Sequence, residues 1–236
     1  MINVRRDAEI YDKEGGWFHA RWHFSFDEYM DPDWTQFGSL RVFNDDRLIP
    51  GVAWPMHPHR DIEGITYVVE GTFRHADSLG GEYLILPAGS AQRMSLGSGA
   101  WHSEQNASDT EGLRFIQMWI IPRQRGLEPS VEQRVFAKED RTDRLLKVVA
   151  GPDREGDAVL VHQDAAVYVS SLTAGAAVEH DLRVGGGAYL YVIGGAATLG
   201  EEKLATGDAA AISDESSIEI QALEPTELIM VEVRLA

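Results

Sequence analysis

Short runs of branched and aromatic residues, alternating with polar ones and cut by glycine, aspartate and proline, recur along this 236-residue chain. A period of two sends successive side chains to opposite faces of an extended strand, so such runs bury one face and wet the other. The clearest lies at 17–26, where His19, Arg21, His23 and Ser25 alternate with Phe18, Ala20, Trp22, Phe24 and Phe26. The stretches 65–69, 83–86, 113–121, 189–193 and 228–233 also read as strands, with Gly80-Gly81 and Gly185-Gly186-Gly187 as turns. No long segment keeps the 3.6-residue period of a helix. Strands about 8–12 residues apart predict an all-β sandwich or barrel.

A weak internal repeat accompanies the strands. Tyr67-Val68-Val69-Glu70-Gly71-Thr72-Phe73 resembles Tyr191-Val192-Ile193-Gly194-Gly195-Ala196-Ala197, at an offset of 124. Leu86-Pro87-Ala88-Gly89-Ser90-Ala91 is echoed by Ala205-Thr206-Gly207-Asp208-Ala209-Ala210. Two copies of one barrel unit account for both. The segment 122–144, rich in proline and charge, is the expected crossover between them.

Two motifs, His57-Pro58-His59 and His102-Ser103-Glu104, carry the chemistry. On a strand, residues i and i+2 share a face about 6.5–7 Å apart. Two such strands side by side would aim three imidazoles and one carboxylate at a single ion. That set suits iron, manganese, nickel, copper or zinc better than calcium or magnesium. Eight histidines give about 0.27 His-x-His pairs by chance, so the first motif alone reads more readily as surface or hydrogen-bonded histidines than as a metal site. The second motif, with the same period and in β-type sequence, favours the metal. His19 and His23 read as packing or hydrogen-bonding residues, His23 at a pocket border. Residues 75–78 read as a turn, and His162 and His180 as surface. Trp54, Met94, Met118 and Trp119 are candidates for a flat aromatic pocket, or else for ordinary barrel core. There is no nucleophilic triad, phosphate loop or dinucleotide fingerprint.

Charge narrows the partners. Thirty-eight acids against 21 bases give a net −17, which repels nucleic acid and anionic membranes. Arg5-Arg6 is the densest basic pair, so direct nucleic-acid binding is not expected and a neutral small ligand fits better. The absence of cysteine excludes disulfides, iron–sulfur clusters and thiolate metal sites. No stretch approaches the ~20 apolar residues of a membrane span. Residues 1–7 lack the apolar region of a signal peptide, and a cytoplasmic location is the default expectation.

A set of longer motifs goes further. They are Phe24-Ser25-Phe26, Phe37-Gly38-Ser39-Leu40-Arg41-Val42, Asn44-Asp45-Asp46 and His57-Pro58-His59-Arg60-Asp61-Ile62-Glu63. Then come Thr66-Tyr67-Val68-Val69-Glu70-Gly71, His75-Ala76-Asp77-Ser78-Leu79-Gly80 and Pro87-Ala88-Gly89-Ser90-Ala91-Gln92-Arg93-Met94. Gly99-Ala100-Trp101-His102-Ser103-Glu104, Glu132-Gln133-Arg134-Val135-Phe136 and His162-Gln163-Asp164 complete the set. In these the chain resembles the pirin family of the cupin superfamily, densely over 17–136 and more thinly beyond. The common second cupin motif, Gly-x5-Pro-x-Gly-x2-His, stands here as Gly81-x5-Pro87-x-Gly89-x2-Gln92, with glutamine in place of the usual histidine.

The resemblance implies an all-β bicupin, two jelly-roll type antiparallel β-barrels. Residues 1–130 would form the N-terminal metal-binding barrel and 131–236 a C-terminal barrel without ligands. His57, His59, His102 and Glu104 would hold one divalent transition metal, Fe(II) first, with Mn, Ni, Cu, Co or Zn as alternatives. Glu63 would support the ligands without binding the ion. Four protein ligands leave an octahedral ion two open positions, as a catalytic site requires. The implied activity is that of a quercetin 2,3-dioxygenase, opening a planar flavonol with dioxygen while Glu104 takes the 3-hydroxyl proton. The alternative is a non-catalytic redox-sensing regulator that binds a protein partner. A cupin isomerase, decarboxylase or sugar-modifying enzyme is a third reading.

Overall fold

The computed structural model describes residues 1–80, 84–152 and 156–235. Gly81 of the expected turn and second cupin motif, and Tyr83 of the expected 83–86 strand, lie outside the described residues. Among those described, only two short 3-10 turns, Asp7–Glu9 and Glu139–Arg141, interrupt the strands. No helix among them is long and apolar enough to cross a membrane.

Each half is a jelly roll of two facing sheets rather than one hydrogen-bonded cylinder. In the first half, a seven-stranded sheet runs in the spatial order Ser130–Val135, Ser90–Ser95, Glu63–Glu70, Leu113–Ile120, Leu40–Leu48, Phe18–Trp22 and Tyr11–Glu14. It faces a four-stranded sheet of Ala53–His59, Ala100–Asn106, Thr72–Asp77 and Leu84–Pro87. The second half repeats both sheets. Its large sheet runs Ile2–Arg5, Ala209–Ser213, Gly186–Gly194, Thr226–Arg234, Ala165–Leu172, Leu146–Ala150 and Val159–Leu160. Its small sheet runs Ala177–Asp181, Ser217–Ala222, Ala196–Leu199 and Glu202–Ala205. Strand for strand, Glu63–Glu70 corresponds to Gly186–Gly194, as the sequence repeat around Tyr67 and Tyr191 implies.

One pair of strands trades places. Ile2–Arg5 pairs with Ala209–Ser213 and so completes the large sheet of the second half. Ser130–Val135 pairs with Ser90–Ser95 and completes that of the first. A division of the chain at 130/131 therefore falls at the start of a strand belonging to the first sheet, and residues 2–5 lie across the division from their partners.

Packing explains which strands alternate. Ser217–Ala222 buries only Ile218, Ile220 and Ala222, as an outer strand with one wet face should. Glu63–Glu70 and Gly186–Gly194 are buried almost throughout, because each large sheet is covered on both faces. One face meets its own small sheet and the other meets the opposite half. The largest apolar cluster lies at that junction and draws Phe43, Ile65, Tyr67 and Met118 from one half and Val167, Tyr189, Tyr191 and Val231 from the other.

Polar ties cross the same junction. Arg114 donates to both carboxylate oxygens of Asp45, at 3.0 Å to Oδ1 and 2.6 Å to Oδ2, and to the Ile193 carbonyl at 3.0 Å. The Tyr191 hydroxyl donates to Asp45 Oδ2 at 2.7 Å. Two histidines expected at the surface also have partners. His162 binds the buried Glu63 through its backbone N–H and Nδ1, each at 2.7 Å, and His180 Nε2 lies 2.9 Å from Glu232. Glu63 thus ties the halves together and does not reach the histidine ligand candidates as the resemblance implies.

Candidate metal centre

The two histidine motifs fall on neighbouring antiparallel strands of the first small sheet. His102 stands opposite His57, and Ala100 opposite His59. Alternation turns His57, His59 and His102 inward and leaves Met56, Pro58 and Trp101 exposed on the outer face. A register shift between His102 and Glu104 puts Glu104 opposite Trp54, the kind of irregularity that re-aims a side chain. The three imidazole rings lie 4.5–5.2 Å apart by centroid, and one ring nitrogen from each falls within 4.8 Å of the others. Glu104 is not part of that tight group.

The nitrogens are prepared to coordinate. His57 Nδ1 lies 2.8 Å from the Pro55 carbonyl, which can only accept, so Nδ1 carries the proton and Nε2 keeps its lone pair. His102 Nε2 is buried without a hydrogen-bond partner. A group left so costs about 1–3 kcal/mol, and a cation is the partner such a lone pair fits. Burial, then the neighbouring His57, lowers His59 to about 4. Burial, then the other imidazoles, lowers His102 to about 2. Both are neutral at ordinary pH, the form that binds metal.

Glu104 is held from one side. Thr66 Oγ1 donates to Gln117 Oε1 at 2.9 Å, and Gln117 Nε2 in turn donates to Glu104 Oε1. The relay leaves the second carboxylate oxygen for other work. Burial pushes Glu104 up to about 7, against the lowering effect of the Gln117 bond. His75, expected in a turn, lies within Thr72–Asp77, buried beside His102 with ring centroids 5.8 Å apart and Nε2 3.1 Å from Asp77.

All four residues line a cavity of ≈ 1040 Å³ with mainly apolar walls. Trp54 and Trp119 form part of those walls as expected, joined by Phe18, Trp22 and Phe26. Met94 and Met118 do not; they pack in separate apolar clusters. His23 does not border the cavity either. It is fully buried at the junction of the halves, with Nδ1 2.9 Å from the Tyr189 hydroxyl. His19 faces outward and binds Asp12 at 3.0 Å. Gln92, in place of the usual cupin histidine, donates to Gln133 at 3.0 Å. The residues that sequence reasoning missed are Gln117, Asn44 and Asp46. The signal for Gln117 was present, one amide within the apolar run Phe115-Ile116-Gln117-Met118-Trp119-Ile120.

Among the described residues of the second half, no group of ligands repeats the centre. The strand equivalent to Ala100–Asn106 is Ser217–Ala222, whose Ile218 and Ile220 join Leu190, Leu199 and Met230 in an apolar filling. In the first half the corresponding cluster is smaller, built on Leu48, Val68, Phe73, Leu86, Leu113 and Phe115.

Known proteins share this arrangement of halves. A Pirin family model matches residues 4–120, and one described as quercetinase C-terminal cupin domain matches 148–233. A protein of Zymomonas mobilis, provisionally named a quercetin 2,3-dioxygenase, is 42% identical over 98% of this chain and 97% of its own length. The quercetin 2,3-dioxygenase of Escherichia coli K12 is 38% identical over 98% of this chain and 97% of its own. The solved structure of the bacterial pirin YhhW from Escherichia coli, in complex with nickel(II), superposes with a TM-score of 0.93 at 36% identity, covering 100% of both chains. With both halves matched and identity sustained from end to end, the chain belongs to the pirin family and has its bicupin fold.

Proposed function

We propose that this protein is a metal-dependent dioxygenase that opens a flavonol such as quercetin with dioxygen. The observation that carries the reading is three imidazoles converging on one point, one with an unpartnered buried nitrogen, opening onto an aromatic-walled cavity. His57, His59 and His102 would hold the ion, with Glu104 as fourth ligand. Fe(II) is the first choice by ligand type; nickel, which YhhW holds, and Mn, Cu, Co or Zn suit the same donors. The metal belongs to the N-terminal half, and the C-terminal half serves as packing.

When bound, the ion supplies Lewis acidity that lowers the pKa of a substrate hydroxyl. The chain does the rest. Trp54 and Trp119 clamp a planar ring system and exclude water. Gln117 fixes one oxygen of Glu104, and the other, when it swings off the ion, is placed to take the hydroxyl proton and give it back. The names of the relatives support this substrate class, and the cavity volume suits a molecule of that size.

The test is an aerobic quercetin assay on protein loaded separately with Fe, Mn, Ni, Cu and Co, with the metal measured by elemental analysis. Loss of flavonol absorbance in at least one form is expected. His57→Ala should hold little metal and turn over nothing. An unchanged spectrum in every form would overturn the activity, and full turnover by His57→Ala would overturn the site. A second reading, a regulator that docks a protein partner, draws on the exposed Met56 and Trp101 behind the ligand strands. It requires partner binding that differs between Fe(II) and Fe(III) protein without turnover.

A further inference from the structure

The floor of the cavity holds two polar groups that the metal chemistry leaves unused. Asn44 and Asp46 lie two apart on Leu40–Leu48 and share a face of that strand. Both line the cavity together with Gln117 and Glu104. Asp46 is 5% exposed, yet its carboxyl has no hydrogen-bond or ion-pair partner among the described residues. Asn44 Oδ1 is buried and likewise unpartnered.

The neighbour makes the contrast. Asp45 points to the other face of the strand, where Arg114 and Tyr191 satisfy it. The fold can pair a buried carboxyl at this strand and does so one residue away. Buried polar groups in a folded protein are nearly always partnered, and the exceptions call for an explanation. Here the exception opens onto the space where a ligand would lie. Burial, then Glu104 and Asp45, raise Asp46 well above the usual carboxylate range. A carboxyl group placed here accepts a hydrogen bond from a phenol hydroxyl in either protonation state.

We propose that Asp46, with Asn44, is the specificity-determining contact of the cavity. It takes a hydroxyl of a polyhydroxylated planar aromatic, while another oxygen of the same molecule faces the imidazoles. The inference rests on the flavonol reading for the class of ring system, and it narrows that class. A ring carrying the metal-facing oxygen alone loses the floor contact, and a site built to hydrogen-bond a hydroxyl discriminates strongly against the analogue lacking it.

Binding to zinc-loaded protein tests this apart from turnover, read by quenching of tryptophan fluorescence. The probes are quercetin and 3-hydroxyflavone, which lacks the additional hydroxyls. Wild-type protein should prefer quercetin by about tenfold or more. Asp46→Leu should bring quercetin down to the affinity of 3-hydroxyflavone and leave 3-hydroxyflavone within about twofold. If Asp46→Leu does not fold by circular dichroism, Asn44→Ala and Asp46→Asn are read the same way, each with a smaller loss confined to quercetin. Equal weakening of both probes would mean a structural role and overturn the proposal. So would a preference for quercetin that survives substitution, or wild-type protein that binds neither probe. Protein that binds with this selectivity but never opens the ring would leave the inference standing and overturn only the dioxygenase reading.

Discussion

At the residue scale, the centre depends on how few atoms hold it. Gln117 fixes Glu104 through one hydrogen bond and is itself fixed by Thr66. Partners of this kind contribute about 10- to 100-fold to affinity or rate, so Gln117→Leu should lower kcat for quercetin by that factor. Steady-state kinetics alongside elemental analysis separates a loss of rate from a loss of metal. His23 predicts a pH effect on stability instead. Burial lowers it to about 3, with one ring nitrogen unpartnered. The unfolded chain protonates near 6.5, so His23 favours folding above that value. The contribution is lost as pH falls from about 6.5 towards 3, at up to about 1.4 kcal/mol per pH unit. Urea unfolding of wild type and His23→Asn from pH 7 to 4 should show the shallower slope in the variant. The inward placing of His57, His59 and His102 was legible because strand alternation is local and i, i+2 spacing fixes a face. The same rule explains the miss over Met118 and Trp119, for adjacent residues on one strand cannot both face one cavity. Asp46 was not legible, since nothing local separates it from Asp45, and only the three-dimensional surroundings show which one is paired.

At the scale of elements, the two halves share a strand order but not a content. Where one carries His102 and Glu104, the other carries Ile218 and Ile220 in an apolar interior. Ala177–Asp181 is the strand equivalent to the one that carries His57 and His59. That much of the architecture was readable from Tyr67 and Tyr191 alone. The exchange of edges was not, because a four-residue strand such as Ile2–Arg5 carries no mark of its distant partner. It is nonetheless well anchored. Arg5 is buried, bonds the His23 carbonyl, the Glu9 carbonyl at 3.0 Å and the Tyr29 hydroxyl at 2.8 Å, and lies 4.6 Å from the centre of the Trp34 ring. Deleting residues 1–6 removes all of these and bares the edge at Ala209–Ser213. The truncated protein should melt at least about 5 °C lower, and its amide exchange should rise first across 209–213. Unchanged protection there would mean the strand is an ornament of the sheet rather than part of it.

At the scale of the molecule, the halves share their largest apolar cluster, so they should unfold in one transition rather than two. Arg114 and Asp45 sit inside that junction. Removing one member of a buried ion pair strands the other and costs about 3–5 kcal/mol. Arg114→Ala should lose that much in urea denaturation, and Arg114→Met with Asp45→Leu should lose less, because no charge is left alone. The sequence patterns predicted strands and their number of copies, but not this junction, because which face of a doubly buried strand meets which sheet is decided only by assembly. The traded edge strands add a matter of timing. The Asp7 N–H reaches Asp208, 201 residues along, at 2.9 Å. In the cell, residues 2–5 leave the ribosome long before the strand they pair with has been made. Pairings so distant form slowly beside local ones. The second jelly roll is therefore completed only late in translation, and a ribosome stalled before residue 209 would hold a nascent chain whose first strand has nowhere to go.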